Sequence, residues 1–396
     1  MTGGVPGQRP YRIGVICDTP SIQLSAQYDA LADLSEFEFV MLLRTARHVN
    51  PAWTPRPPTR VGFEVFKQAR FLPRRARPFL NVGVAGVLDR YNFDALVLHG
   101  IYDSVAIWKA IWWCRRRGRP YLLRCDGSIT KELNKPGRRR LRRALARWNI
   151  RRAAALLTIG TQNREYYRFL GGEEAQMFMA PWEIDYPELE GYLATARPRR
   201  EELRAAFGVG DRLVISTIGR LTPEKALEDA IAAVTRLVEA GLPATLLVAG
   251  DGPFRSQVEA WARLAPAGAV RLLGNLPRPG VVELLVSSDI FVMPSRAEAW
   301  GLVINEAALA GLPIVASDAV GAGPDLISAK RSGFIYPAGD VAQLCEALRR
   351  LAERRDLRES MGRASREVLD SWRQRFPMKE GYRQALHRAL EPRIPQ

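Results

Sequence analysis

The sequence predicts an α/β chain made of two Rossmann-like domains. Short apolar runs of strand length alternate with helical patterns from residue 11 to residue 352, as parallel sheets with crossover helices require. The chain has 396 residues, which is long for one domain and suits two. A proline- and charge-bearing stretch at 186–200 interrupts the series, and a fresh strand–helix alternation starts near Asp211.

The elements follow in order. Residues 11–18 (YRIGVICD) read as a buried strand ending in a polar loop, and 37–43 and 95–99 as further strands. Residues 107–117 read as a Trp-rich helix, 120–126 (PYLLRCD) as a strand, and 156–160 as a strand after a basic helix. The proline- and arginine-rich stretch 47–78 reads as an irregular surface excursion. In the second half, 213–219 (LVISTIG) is a strand and 224–240 a helix. The alternation continues through 244–250, 253–264, 270–273, 279–287, 290–293, 301–310, 313–316, 333–336 and 341–352. Residues 370–390 are helical by pattern. The expected domains are 1–190, 200–370, and a C-terminal helix at 371–396 that packs back on the first. Two such domains are expected to face across a cleft, where a ligand binds.

Composition narrows the function. Hydrophobic content of 47% is that of an ordinary globular protein, and no apolar run approaches the ~18 residues of a spanning helix. The N-terminus has no charged region followed by an apolar leader, so a soluble, cytoplasmic protein is expected. Cys17, Cys114, Cys125 and Cys345 lack C-x-x-C spacing, and His48, His99 and His387 are dispersed, which favours reduced core thiols over a disulfide framework or a metal site. A formal net charge of +16 implies an anionic partner: nucleic acid, anionic lipid or a phosphorylated substrate.

The most informative segment is 295–306, SRAEAWGLVINE, between an apolar strand ending at Pro294 and a helix opened by Gly301. It puts Glu298 and Glu306, with seven residues between them, at the carboxyl end of a strand, where open α/β sheets bind ligands. Free amides at the helix start suit a phosphate. Glutamates beside a phosphate are acceptors for hydroxyl donors, which means sugar or ribose. In Gly219-Arg220-Leu221-Thr222-Pro223-Glu224-Lys225, another strand–helix junction, Arg220 and Lys225 form a candidate diphosphate clamp; the alternative is a solvated loop paired with Glu224 or Glu228. Asp251 in AGDGP reads as a helix cap. Leu273-Gly274-Asn275-Leu276 ends a third strand, where backbone groups can read a base edge.

GRLTPEK, AGDGP, LLGNL, SSDIFVMPSRAEAWGLVINEAALAGLPIVASDAVGAGPDLI and SGFIYPAGD, in this order, resemble the family-four retaining glycosyltransferases (GT4-like) of the GT-B fold. The resemblance is dense over 213–351, includes the family's E-x7-E signature, and continues more weakly through LVLHG, PYLLRCDGS, GTQNREYYRFLG and APWEID. It implies that Arg220 and Lys225 hold the donor diphosphate and act with Glu298 in catalysis, Glu298 binding hydroxyls of the donor sugar. Glu306 would accept both ribose hydroxyls. Amides at Gly301, Leu302 and Val303 would meet sugar and phosphate, Ser295 would line the donor site, and Leu276 would touch the base through its backbone. It also implies transfer with retention of anomeric configuration, from a nucleotide-diphosphate sugar to a saccharide or lipid-linked acceptor, in cell-surface polysaccharide or glycolipid synthesis. No cofactor is implied beyond the donor substrate. No metal is expected either, since the chain has no D-x-D.

Three departures from the family pattern stand out. DTPSIQLS replaces a Gly-Gly loop after the first strand, Asp126 stands where relatives have a histidine, and GPDL leaves Asp325 as a modest candidate. Asp126 and His99 are candidate acceptor or sugar ligands; a turn residue and a structural histidine are the alternatives. The basic segment 131–152, KELNKPGRRRLRRALARWNIRR, alternates Leu141, Leu145, Trp148 and Ile150 with arginines. It fits a helix lying on an anionic membrane surface, peripheral at the inner face of the cell membrane, or an ordinary helix with a solvated basic face. Two rival functions are a nucleotide-sugar epimerase of the same architecture, for which acid–base groups are scarce, and a basic nucleic-acid-binding protein. The latter needs aromatic stacking platforms, whereas the tryptophans near 107–113 read as core, so nucleic acid is not expected as a partner.

Overall fold

A computed structural model describes residues 9–19, 21–45, 56–68, 81–101, 104–129, 132 and 139–391. The chain forms two compact units: 1–129 with 134–184 and 376–396, and 130–133 with 185–375. The chain crosses between them at Ile184/Asp185 and Arg375/Phe376, so the expected linker at 186–200 falls within the second unit.

The strands of the first unit are β1 (Tyr11–Cys17), β2 (Phe37–Leu43), β3 (Gly62–Val65), β4 (Lys67–Gln68), β5 (Asn81–Val82), β6 (Ala95–His99), β7 (Tyr121–Arg124), β8 (Ala155–Thr158) and β9 (Met177–Met179). Seven of them form a sheet in the order β3-β2-β1-β6-β7-β8-β9, with every pairing parallel. Both faces are covered, so its strands are near-continuous apolar runs. Alternation sorts each strand between two cores. Ile13, Val15 and Cys17 of β1 join Ala95, Val97 and Leu122 against Tyr28 and Tyr382. Ile16, Leu96, Leu98 and Leu123 face the other way, onto Leu88, Ile107, Ile150 and Tyr167. By the same alternation His99 and Arg124 emerge on the Tyr28–Tyr382 side.

The second unit has β10 (Leu213–Ile218), β11 (Ala244–Ala249), β12 (Val270–Gly274), β13 (Ile290–Met293), β14 (Ile314–Ser317) and β15 (Gly333–Tyr336) in the order β12-β11-β10-β13-β14-β15, again all parallel. In each sheet the strand order reverses once, between β1 and β6 and between β10 and β13. Ligands of open α/β sheets bind beyond the carboxyl ends at such a reversal.

Several expectations need correction. Within 47–78 the described part contains β3, whose Gly62–Val65 pairs with Val40–Leu43 as an edge strand, and β4; the rest of that stretch lies outside the described residues. The loop DTPSIQLS runs straight into a helix, Ile22–Leu31, capped by Ser21, whose hydroxyl accepts from Leu24 N at 3.1 Å. The expected linker at 186–200 is mostly the helix Tyr186–Ala196, capped by Asp185 with proline in its first turn, where the missing N–H costs nothing. The single helix at 370–390 is two, Arg355–Arg375 and Met378–Leu390, separated at Pro377. Tyr382 and Leu386 of the latter lie in the first unit's core. No helix among the described residues is long and apolar enough to cross a membrane.

Candidate active site

In the second unit the chain leaves β10 through Gly219 into a short turn, Pro223–Lys225, and then the helix Leu227–Glu239. Ala226 joins the two in the left-handed region, at φ 49°. The AGDGP loop is knitted onto this turn. Gly219 N donates to Ala249 O (3.0 Å), Leu221 N to Asp251 O (3.0 Å) and Phe254 N to Leu221 O (3.1 Å). A Cβ on Gly250, itself at φ 137°, would lie 1.9 Å from Gly219 O, so only glycine allows the two loops to meet. Asp251 is not the helix cap: the helix runs Arg255–Leu264 with Phe254 at its N-cap, and Asp251 accepts from Gly252 N at 2.7 Å.

The segment after β13 is fastened to that turn at several points. Arg296 N donates to Glu224 O at 2.8 Å, and its guanidinium grips the buried Asp229 at 2.9 and 3.1 Å and pairs with Glu228. Glu298 N donates to Ala319 O (3.1 Å) and Glu298 O accepts from Gly321 N (3.0 Å). The side chain of Glu298 accepts from Ala299 N at 3.0 Å and pairs with Lys225. Both partners are largely shielded, with side chains 19% and 16% exposed, so the pair acts in a lower dielectric than water. Arg220, Lys225, Ser295 and Met293 line one small pocket with Gly219. The structure thus brings together Arg220, Lys225, Ser295 and Glu298.

Gly301 opens the next helix, Leu302–Ala310, at φ 92°. A Cβ there would be strained and would press on Met293 Sδ at 2.9 Å. Having no side chain to cap the helix, Gly301 leaves the first-turn amides, with Leu302 and Val303, open to an anion. Glu306, one turn on, is 14% exposed with Arg278 Nη1 3.9 Å away. Burial raises its carboxyl above the ordinary range, and Arg278 opposes the shift. Arg278 Nε also lies 2.8 Å from Glu188. Leu276, two residues before Arg278, packs against the buried cluster of Val209, Val214, Leu247, Ala249 and Leu284, as do Ile218 and Leu273. Asp325 falls on the short helix Gly323–Leu326.

His99 and Asp126 belong to the first unit and line a separate cavity of about 360 Å³ beyond the ends of β1, β6 and β7. His99 Nε2 meets Tyr28 OH at 2.8 Å. Burial, aided by Arg124 and Arg44, holds the imidazole well below its usual range, so it is neutral. Asp126 accepts from the Trp182 indole at 3.1 Å. Cys17, also at the cavity, is an inert thiol pushed up to about 12 by burial.

The sequence reading missed Arg296, Arg278, Asn305 and Trp182. Asn305 is buried between Trp300 Nε1 and Tyr186 OH, each 3.0 Å away, and anchors the Glu306 helix. A polar residue on the buried face of an apolar helix was the available signal.

Residues 199–368 match the profile of Glycosyl transferases group 1, and residues 23–182 that of the Glycosyl transferase 4-like domain. The chain is similar to the sulfoquinovosyl transferase SQD2 of Arabidopsis thaliana, with 32% identity over 46% of this chain and 35% of that protein. It is also similar to 2-deoxystreptamine glucosyltransferase of Streptomyces kanamyceticus, with 32% identity over 53% of this chain and 54% of that one. The chain therefore spans about half or less of these relatives' length. Anabaena Alr3699/HepE, solved with UDP and glucose, shares the fold at a TM-score of 0.72 and 19% identity, over 95% of this chain and 98% of that one. WaaG, a glycosyltransferase involved in lipopolysaccharide biosynthesis, does so at 0.71 and 16%, over 94% and 98%. Two parallel-sheet Rossmann-like units and both profile matches agree: the chain belongs to the GT4-like glycosyltransferases of the GT-B fold.

Proposed function

We propose that this protein is a retaining glycosyltransferase whose second unit takes a nucleotide-diphosphate sugar and whose first unit takes a saccharide or lipid-linked acceptor. The observation that carries the reading is the convergence of Arg220, Lys225, Ser295 and Glu298 beyond β10 and β13, where the strand order reverses. Arg220 and Lys225 hold the diphosphate, and the first-turn amides of Gly301, Leu302 and Val303 add partial positive charge. Glu298 accepts hydroxyls of the donor sugar and keeps Lys225 turned into the pocket. Glu306 accepts the ribose hydroxyls, and Leu276 meets the base through its backbone.

In the reaction the acceptor oxygen bonds to the anomeric carbon on the face from which the phosphate departs. The acceptor proton passes to the departing diphosphate oxygen, and the protein stabilises the charge that develops there. The donor is a substrate; with no D-x-D in the chain, no metal is assigned a role. Relatives named glycogen synthase and phosphatidylinositol monomannoside mannosyltransferase support polysaccharide or glycolipid synthesis as the setting. The test is a thermal-shift screen against UDP-, GDP- and ADP-sugars. One class should raise the melting temperature, because it binds the folded form alone; no shift with any donor at millimolar concentration contradicts the reading.

The second part of the proposal concerns the helix Arg139–Arg152. Ala146, Asn149 and Ile150 are its buried positions, while Leu141 is 54% exposed. The inward stripe is thus narrower than the sequence suggested, and Leu141 stands among arginines on the outer face. On the helix Val105–Arg117, whose Trp108 meets Trp148 with ring centroids 6.3 Å apart, Trp112 is 53% exposed beneath the Arg116 guanidinium. Exposed apolar side chains ringed by arginine suit an anionic bilayer surface, with the protein peripheral at the inner face of the cell membrane. Flotation with liposomes should increase with anionic lipid content and fall in a Leu141→Asp, Trp112→Asp variant; flotation independent of lipid charge contradicts this part.

A further inference from the structure

We propose that Glu298 discriminates by charge: its fixed carboxylate disfavours the bare nucleoside diphosphate relative to the nucleotide sugar, and so favours release of the spent product. The proposal rests on the reading that this pocket takes a nucleotide-diphosphate sugar. It adds a role for Glu298 that hydroxyl binding does not require.

The pocket is otherwise arranged for negative charge. Arg220 and Lys225 line it with Ser295, and the helix opened by Gly301 has no side-chain cap, so its first amides also favour an anion. Yet Lys225 is paired with a carboxylate. A neutral amide or hydroxyl also accepts from a sugar hydroxyl. An ionised acceptor placed on Lys225 itself does something more, because it subtracts a charge from the clamp.

The carboxylate is held in place. Glu298 forms a parallel bridge with Val320, with its N–H on Ala319 O at 3.1 Å and its carbonyl accepting from Gly321 N at 3.0 Å. Both side-chain oxygens are engaged: Oε1 accepts from Ala299 N at 3.0 Å, and Oε2 pairs with Lys225. The side chain is largely shielded from water, so its charge is weakly screened.

Transfer changes the charge of the bound nucleotide. In the donor the terminal phosphate is esterified to the sugar and has one ionised oxygen. When the bond from the anomeric carbon to that phosphate breaks, the freed oxygen takes the acceptor proton. The second ionisation of a phosphate monoester lies near pH ~6, so at neutral pH this proton passes on to water. The product then carries one more negative charge than the donor. The clamp attracts both species, while Glu298 repels the product by one further unit charge. In a partly buried site that difference corresponds to about tenfold in affinity.

The experiment is calorimetric titration of the full chain, wild type and Glu298→Gln, with UDP, GDP and ADP and with UDP-glucose, GDP-mannose and ADP-glucose. The terminal methyl ester of each diphosphate is added, because it has the donor's charge and no sugar hydroxyls. For the base that binds wild type, Glu298→Gln should tighten the free diphosphate about tenfold more than it tightens the methyl ester. The nucleotide sugar should lose affinity relative to the methyl ester, because its hydroxyls lose an ionised acceptor. Glu298→Ser, the second neutral variant, should move the ratio of diphosphate to methyl ester affinity the same way, and Glu298→Asp, which keeps the charge, should leave it near wild type. Melting curves of the ligand-free variants establish that they are folded. An unchanged ratio in both neutral variants overturns the proposal: equal tightening would mean mere competition for Lys225, and no tightening would mean hydroxyl binding alone. In either case nucleotide binding by wild type leaves the transferase reading standing. If wild type binds no nucleotide, that reading fails and the proposal with it.

Discussion

Lys225→Ala is expected to slow sugar transfer by about 10²–10³-fold, the usual effect of removing one preorganised donor to a developing negative charge. The loss should appear in kcat as well as KM, because on the proposed reading the lysine interacts most strongly with the diphosphate as it departs. The structure supplies the reason for its placement. Lys225 ends a short turn, Pro223–Lys225, is drawn toward Glu298, and borders the pocket with Arg220 and Ser295. Lys225→Arg keeps the charge and should restore part of the rate, though the larger planar group fits a different geometry. Steady-state transfer with a saturating acceptor checks this. A rate within about threefold of wild type for Lys225→Ala would mean that the loop is only structural.

Glu306→Gln is expected to weaken nucleotide-sugar binding by about 10²-fold, since on the proposed reading two ribose hydroxyls lose a charged acceptor and each such bond contributes ~1.5–3 kcal/mol. The same substitution should raise the melting temperature of the ligand-free chain at neutral pH. Burial raises the Glu306 carboxyl above its ordinary value, so the folded chain holds the proton more tightly than the unfolded one. That contribution to stability is complete below the unfolded value near 4.5 and is lost as pH rises through the folded value. At neutral pH the ionised, desolvated carboxylate is therefore a burden, and glutamine relieves it. Binding runs the opposite way: wild-type affinity should fall on acidification at a higher pH than an ordinary glutamate would dictate. Calorimetric titration and melting curves across pH 4–8 measure both trends.

Much of the second unit was legible in the sequence because its strands are short, largely apolar and in several cases followed by glycine. LVISTIG, ATLLVAG and IFVM could be little else, and each functional loop starts where such a run stops. The fastening of those loops was not legible. Arg296 reaches back to Asp229 across 67 positions, and the Glu298 backbone bonds to Ala319 and Gly321; such pairings depend on strand order, which periodicity does not encode. In the first unit Ser21 before IQLSAQYDAL was a cap signal hidden by the preceding proline. Asp185 before YPELEGYL was misread because Pro187 looked like a loop residue. Trp182 and Arg124 gave no motif at all. Their contact comes from alternation along β7 and the proximity of its carboxyl end to Ala180.

A nucleoside diphosphate is expected to bind beyond β10 and β13. Methyl NMR of the wild-type chain labelled at methionine and isoleucine tests it most directly, with Met293→Leu to assign the key signal. Met293 and Ile218 line the pocket beside Arg220 and Lys225, whereas Met361 lies in the second unit's core and Met41 and Met378 in the first unit's. Titration with the diphosphate whose sugar gives thermal stabilisation should produce its largest shifts at Met293 and Ile218. Shifts confined to other methyls, with Met293 unmoved at saturation, would contradict the claim.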